Sequence, residues 1–309
     1  MSFTFSKKIP VSIVGGFLGT GKTTLVNYLI RHATKRFAVI VNEFGTTGID
    51  GALIENLSEE NLTEFTGGCI CCSGREDLAI ALYNLAMQAE PPEHILIELS
   101  GLADPVPIAQ TILDPQLRAL FELDGIIGVA DARHLYQTLQ DCPEGAVQLA
   151  YANCVVLNKT DLANQEQLET ARQLIKHLNP ICQIVETSEA RVPLDLLSLG
   201  TFDQDFSSHE HIHSQGMVSF VLESAKPLIP LKWNAFCEEY ILSRPAQVLR
   251  CKGFLSYKYI DQEILFQSVR EIVRVERSNR PYMGHSSLVV IGRNLDVLEY
   301  QTQFKEITA

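Results

Sequence analysis

A chain of 309 residues with a hydrophobic fraction of 46% has material for one large core or two ordinary ones. Its formal charge of −12 argues against nonspecific binding to nucleic acid or to anionic lipid, because both need basic surface. No run of about eighteen apolar residues occurs, so no transmembrane helix is expected, and eight cysteines in a chain this long do not make a disulfide scaffold.

The opening stretch, MSFTFSKKIPVSIVGG, turns glycine-rich too soon for a secretory signal. The cytoplasm, where thiols stay reduced, is the expected compartment. Near-continuous apolar runs predict strands at Ile9–Gly16, Phe37–Glu43, His94–Ser100, Gly125–Asp131, Cys154–Asp161 and Ile181–Ser188. Runs of this kind suit parallel strands covered on both faces. Helical patterns lie between them, for example Lys22–His32 and Glu166–Leu178. The alternation predicts a doubly wound α/β domain, a mostly parallel sheet with helices on both faces.

After Leu199 the texture changes. GTFDQDFSSHEHIHSQG, residues 200–216, is polar, lacks an apolar period and reads as a linker. Beyond it, MVSFVLES and QVLRCKGFLSY alternate like half-buried strands around a helix over Ile229–Leu242. EILFQSV, EIVRVER and SLVVIG continue the strand pattern, and a closing helix starts near Asn294. The expected organisation is an α/β domain over 1–205, a His-containing linker over 206–215 and a smaller α+β domain over 216–309, its sheet mostly antiparallel.

GFLGTGKT, Gly16–Thr23, follows the first strand and opens the first helix, the context in which G-x-x-x-x-G-K-[ST] is a phosphate loop. Gly16, Gly19 and Gly21 let the backbone around Thr20 curl so that N–H groups point at phosphate oxygens. The helix N-terminus adds positive potential. Lys22 would reach the β- and γ-phosphates, Thr23 would hold Mg²⁺, and Thr24 would touch the α-phosphate.

NKTD, Asn158–Asp161, ends a later strand. The Asp161 carboxylate can accept from N1–H and the exocyclic amine of guanine, whereas adenine would set a lone pair against it. Asn158 would brace the loop, and the stem of Lys159 would lie over the ring. TSEA, Thr187–Ala190, is placed to offer backbone N–H groups to the guanine O6.

GGCICCSG, Gly67–Gly74, holds Cys69, Cys71 and Cys72. Adjacent Cα atoms are about 3.8 Å apart, too close for a relaxed disulfide, which wants about 4.4–6.8 Å. Thiolates suit Zn²⁺, Cu(I) and similar ions, and the flanking glycines allow a turn that gathers two or three of them. A fourth ligand would be water, Glu43 or a side chain from another protein. The competing readings are buried small hydrophobes and a redox switch. The first is preferred for Cys142, Cys154, Cys182, Cys237 and Cys251. His209, His211 and His213 alternate, and read equally as a loose metal collector or a solvated linker. His285 could be a ligand or an interface residue, and the reading preferred is a hydrogen-bonded structural residue.

GGFLGTGKTT, VNEFGTTGID, GGCICC, IELSGLADP and NKTD occur in this order, and VLRCKGFL and SSLVVIG follow. In this the chain resembles the CobW-type P-loop GTPases over nearly its whole length. The resemblance implies a metallochaperone that couples GTP to delivery of Zn²⁺ or Co²⁺ to a client metalloprotein; separately, a monomer or weak homo-oligomer is expected. It also implies that the usual D-x-x-G of GTPases is replaced by E-x-x-G, here Glu98–Gly101. Lys22 and Glu98 are then the catalytic candidates, Glu98 positioning water or the Mg²⁺ shell. One departure stands in N-E-F-G-T, where the family usually has an acidic residue and this chain has Thr46; Glu43 and Asp50 remain nearby. The alternative function is a GTP-timed interaction module with a structural zinc or redox-active thiols.

Overall fold

A computed structural model describes residues 7–32, 34–42, 62–65, 75–101, 103–197, 211–212, 216–278 and 280–308. By packing, these fall into two compact units, residues 1–173 with 182–202 and residues 174–181 with 203–309. None of the described helices is long and apolar enough to cross a membrane.

The first unit runs β1 (Ile9–Gly16), α1 (Lys22–His32), β2 (Phe37–Asn42), β3 (Leu62–Phe65), α2 (Arg75–Ala86), β4 (His94–Glu98) and α3 (Val106–Ile112). It continues through β5 (Phe121–Asp131), α4 (Leu135–Asp141), α5 (Pro143–Tyr151), β6 (Cys154–Asn158), α6 (Gln165–Leu178, of which residues 165–173 belong to this unit) and β7 (Gln183–Glu186). All seven strands are parallel, in the order β3-β2-β4-β1-β5-β6-β7. β4 and β6 are buried along their whole length, as their unbroken apolar runs require of strands covered on both faces. Leu25, Val26 and Leu29 on one stripe of α1 pack with Val14, Val39, Leu96, Val129 and Val156.

β1 lies between β4 and β5, so the strand order switches direction there. Loops that leave the C-terminal ends of strands at such a point diverge and open a crevice for ligands. Register brings the candidate residues to that end. Val14 pairs with Glu98, Gly16 with Val129, and Asp131 with Asn158. β3 was not anticipated. LTEF is only four residues long with two polar members, and its pairing with β2 is a long-range contact that local pattern does not encode.

The second unit comprises β8 (His211–Ile212), β9 (Met217–Ser224), α7 (Pro230–Phe236), β10 (Val248–Leu255), β11 (Ile264–Val269), β12 (Ile272–Arg277), β13 (Ser286–Arg293) and α8 (Val297–Glu306). Its sheet is antiparallel throughout, ordered β12-β11-β10-β13-β9-β8. Two residues inside the expected linker, His211 and Ile212, are thus a short strand paired with β9. The expected single helix is α7 followed by a π-helical turn over Cys237–Leu242. Trp233, Phe236, Tyr240, Tyr300 and Phe304 from the helices bury against Phe220, Leu222, Phe266, Leu288 and Val290 of the sheet. The Tyr300 hydroxyl donates to the Tyr240 carbonyl at 2.6 Å, satisfying a buried acceptor in the π-helical turn.

Candidate functional site

The chain leaves β1 at Gly16 and enters α1 at Lys22 through a loop in which Gly16, Gly19 and Gly21 all have positive φ. The Thr20 hydroxyl and Lys22 Nζ both donate to the Phe17 carbonyl, at 2.9 Å and 3.0 Å. Lys22 is buried, which places its ammonium inside the curl of the loop. Thr23, at the start of α1, donates from Oγ1 to Glu98 Oε1 at 2.7 Å. Glu98 ends β4 and is only 2% exposed. Thr24 is exposed on the first turn of α1. A hydroxyl and a carboxylate held side by side at a helix N-terminus are hard oxygen donors, the set that fits Mg²⁺.

The base-recognition candidates meet the same loop. Asn158 is buried and spans it. Its Nδ2 donates to the Thr20 carbonyl at 2.9 Å, and its Oδ1 accepts from the Ala190 N–H at 2.9 Å. The Ala190 N–H is therefore taken by Asn158 rather than offered to a base. The approach of Asn158 is close enough that a Cβ on Gly21 would sit 2.4 Å from Nδ2. Lys159 adopts left-handed backbone at φ 60 and ψ 35. Its Nζ donates to the Gly19 carbonyl at 2.6 Å and to Asp131 Oδ2 at 2.8 Å. Asp161 is exposed at the end of this loop.

Two contributors, Asp131 and Gln148, were missed in the sequence, whereas Gly101 was already marked by the E-x-x-G motif. Asp131 ends β5 and pairs with Lys159. Burial raises its carboxyl pKa, but the hydrogen bonds from Lys159 and His134, the Lys159 charge and the Arg133 N–H outweigh burial and the net shift is downward. Gln148, on α5, donates from Nε2 to the Ala103 carbonyl at 2.9 Å and more weakly to the Gly101 carbonyl at 3.4 Å, holding the loop after β4. Gly101 packs on the phosphate loop, where a Cβ would lie 2.8 Å from the Leu18 nitrogen. The only sequence signal for Asp131 was a carboxylate at a strand end, and that position alone does not name a partner.

Glu43, Thr46, Asp50, Cys69, Cys71, Cys72, His209 and His213 lie outside the described residues. Among the described residues no group of three or more His, Cys, Asp and Glu is placed to hold a metal ion. Cys154, Cys182, Cys237 and Cys251 are buried and unbridged. Burial pushes the Cys154 and Cys251 thiols up to about 12 and Cys237 to about 11, which keeps them protonated and inert. Cys142 departs from the buried reading. It is half-exposed ahead of α5, and its Sγ donates to Glu144 Oε2 at 3.2 Å. His285 is exposed rather than packed, on the rim of a cleft of about 680 Å³ in the second unit.

The chain matches the CobW/HypB/UreG nucleotide-binding domain over residues 10–186. It matches the cobalamin synthesis protein CobW C-terminal domain over residues 217–308. It is 31% identical to the zinc chaperone CobW of Pseudomonas aeruginosa over 98% of this chain and 92% of that protein. It is 30% identical to the zinc chaperone YjiA of Escherichia coli over 96% of this chain and 98% of that one. The zinc-regulated GTPase metalloprotein activator 1 of Schizosaccharomyces pombe is 29% identical over 93% of this chain and 83% of its own length. The crystal structure of the Zn(II)-bound YjiA GTPase from E. coli superposes with a TM-score of 0.78 at 24% identity, covering 98% of this chain and all of that one, a likeness of fold. The phosphate loop, the asparagine that ties it to NKTD and these matches along almost the whole length lead to one conclusion: the chain belongs to the CobW/HypB/UreG family of nucleotide-binding proteins.

Proposed function

We propose that this protein is a cytoplasmic GTPase that carries Zn²⁺, or Co²⁺, on Cys69, Cys71 and Cys72 with help from Glu43, and hands it to a client metalloprotein under nucleotide control. The observation that carries the reading is the clasp made by Asn158, which joins the phosphate loop to the base loop through the Thr20 carbonyl and the Ala190 N–H. The relatives named zinc chaperones, similar over nearly the whole chain, support the metal assignment.

In the reaction, the N–H groups from Gly16 to Thr23 hold the phosphates at the N-terminus of α1. Lys22 exchanges the Phe17 carbonyl for β- and γ-phosphate oxygens, placing its charge where negative charge gathers. Asp161 accepts from the guanine N1–H and amine, and the Lys159 stem covers the ring. Thr23 would hold Mg²⁺, which would supply further charge neutralisation at the phosphates. Glu98, already hydrogen-bonded to Thr23, orients the attacking water, so catalysis is positioning and electrostatics rather than covalent chemistry.

Loss of the terminal phosphate lowers the affinity of the three thiols for metal in this reading. A tenfold change in metal affinity needs about 1.4 kcal/mol of differential binding. Competitive Zn²⁺ titration with GTP, with GDP and without nucleotide tests this. The GTP form should bind at least about tenfold more tightly, and Cys71→Ser should abolish the difference. Equal affinity in all three states would show a zinc that is structural and not carried.

A further inference from the structure

Asp131 closes β5 directly beside Asn158, its register partner at the end of β6. Its two carboxylate oxygens have separate tasks. Oδ1 accepts from the backbone N–H groups of Arg133 and His134, at 3.0 Å and 3.3 Å, and so shapes the turn into α4. Oδ2 accepts from Lys159 Nζ at 2.8 Å and lies 3.3 Å from His134 Nδ1.

Lys159 is held from the other side as well, by the Gly19 carbonyl at 2.6 Å. Its ammonium therefore bridges a carbonyl of the phosphate loop and a carboxylate at the end of β5. A lysine stem has several rotatable bonds and many rotamers when unrestrained. With the backbone fixed in the left-handed region and the head fixed at two points, the stem between them has little freedom left. The pair is also sheltered, the Asp131 side chain being 11% exposed and that of Lys159 32%. An ion pair with this shelter is less screened than one at the open surface.

We propose that Asp131 is a positioning residue for nucleotide binding, which fixes the ammonium of Lys159 so that its stem stands as a ready wall of the base slot. The proposal rests on the guanine-nucleotide reading above. It separates two jobs within the slot. Asp161 reads the hydrogen-bonding edge of the base, and the Asp131–Lys159 pair sets the wall that any purine face would meet. Preorganisation of this kind raises affinity by removing an ordering cost at the moment of binding. It does not discriminate between bases that offer the same face.

Affinity for a fluorescent GDP analogue measured on wild type, Asp131→Asn, Lys159→Met and the double variant tests the assignment. The amide introduced by Asp131→Asn would keep an oxygen for the turn N–H groups and lose the anion that faces Lys159. Each single variant should bind about tenfold more weakly, the size expected for a lost charge-assisted hydrogen bond. The double variant should be no weaker than the weaker single, because both changes break one link. Competition by GDP and by inosine diphosphate, which lacks the exocyclic amine, should weaken by the same factor in Asp131→Asn. Losses that multiply in the double variant, or an Asp131→Asn protein that binds like wild type, would overturn the positioning role. If Asp131→Asn melts early without nucleotide, the same cycle run below both melting temperatures still decides, since a general loss of structure would add to the effect of Lys159→Met. A wild-type protein that binds no GDP would instead remove the nucleotide reading itself, a result distinct from the other two.

Discussion

His94, at the start of β4, is fully buried, and its Nε2 lies 2.8 Å from the Ser12 hydroxyl. Ser12 donates its only proton to Asp124 Oδ2 at 3.0 Å, so Nε2 must carry the imidazole proton and donate to Ser12. Burial, reinforced by the Lys35 charge, lowers the His94 pKa from 6.5 to about 3. The unfolded chain takes up this proton near pH 6.5 and the folded chain only near pH 3, so protonation between those values favours unfolding. Stability should be flat above the window and fall as pH drops through it, by on the order of 1 kcal/mol per pH unit from this group. His94→Gln should reduce that slope. Denaturant unfolding of both proteins near neutral pH and about two units lower would show it, and parallel slopes would refute the argument.

At the scale of elements, the strand ends and the phosphate loop work through close contact rather than through separate residues. Gly21 has φ +102, and a Cβ there would sit 2.4 Å from Asn158 Nδ2. Gly21→Ala is both strained and in collision with the side chain that ties the Thr20 carbonyl to the Ala190 N–H. Asn158 must then give up the Thr20 carbonyl, the Ala190 N–H or both. GTP affinity is expected to fall by more than about tenfold, the cost of one or two buried hydrogen bonds and a misplaced loop. Equilibrium binding with a fluorescent GTP analogue would check this, and unaltered binding would mean that the clasp is not needed for the nucleotide.

The two units have separate cores, and the chain carries one tryptophan, Trp233, within the second. Trp233 is buried against Phe236, Tyr257, Phe266 and Phe304, so its fluorescence reports the integrity of that core. A nucleotide that binds the first unit stabilises it by about 2.7 kcal/mol at a hundred times its dissociation constant. Saturating GDP should therefore delay loss of far-ultraviolet helix signal more than loss of Trp233 fluorescence during thermal unfolding. Equal delays would mean that nucleotide binding and the second core are energetically one system.

Read alone, the residues already dictate the alternation of strands and helices and mark a G-x-x-x-x-G-K-[ST] loop and an N-K-x-D motif. These are local: an apolar run long enough to be covered on both faces, glycines where the backbone must curl, and an N-K-x-D at a strand end. The sequence also exposed the change of texture near residue 200, because a polar stretch without apolar period has nothing to bury. Tertiary structure decided the rest. β3 exists because β2 offers it an edge, and the two-residue strand at His211 exists because β9 does. Asp131 reads in the sequence as one strand-end carboxylate among several. Only the parallel register that sets it beside Asn158, within 2.8 Å of Lys159, gives it a partner. The physical reason is separation along the chain: periodicity and turn chemistry act over a few residues, whereas pairing across a sheet joins groups that the sequence keeps apart.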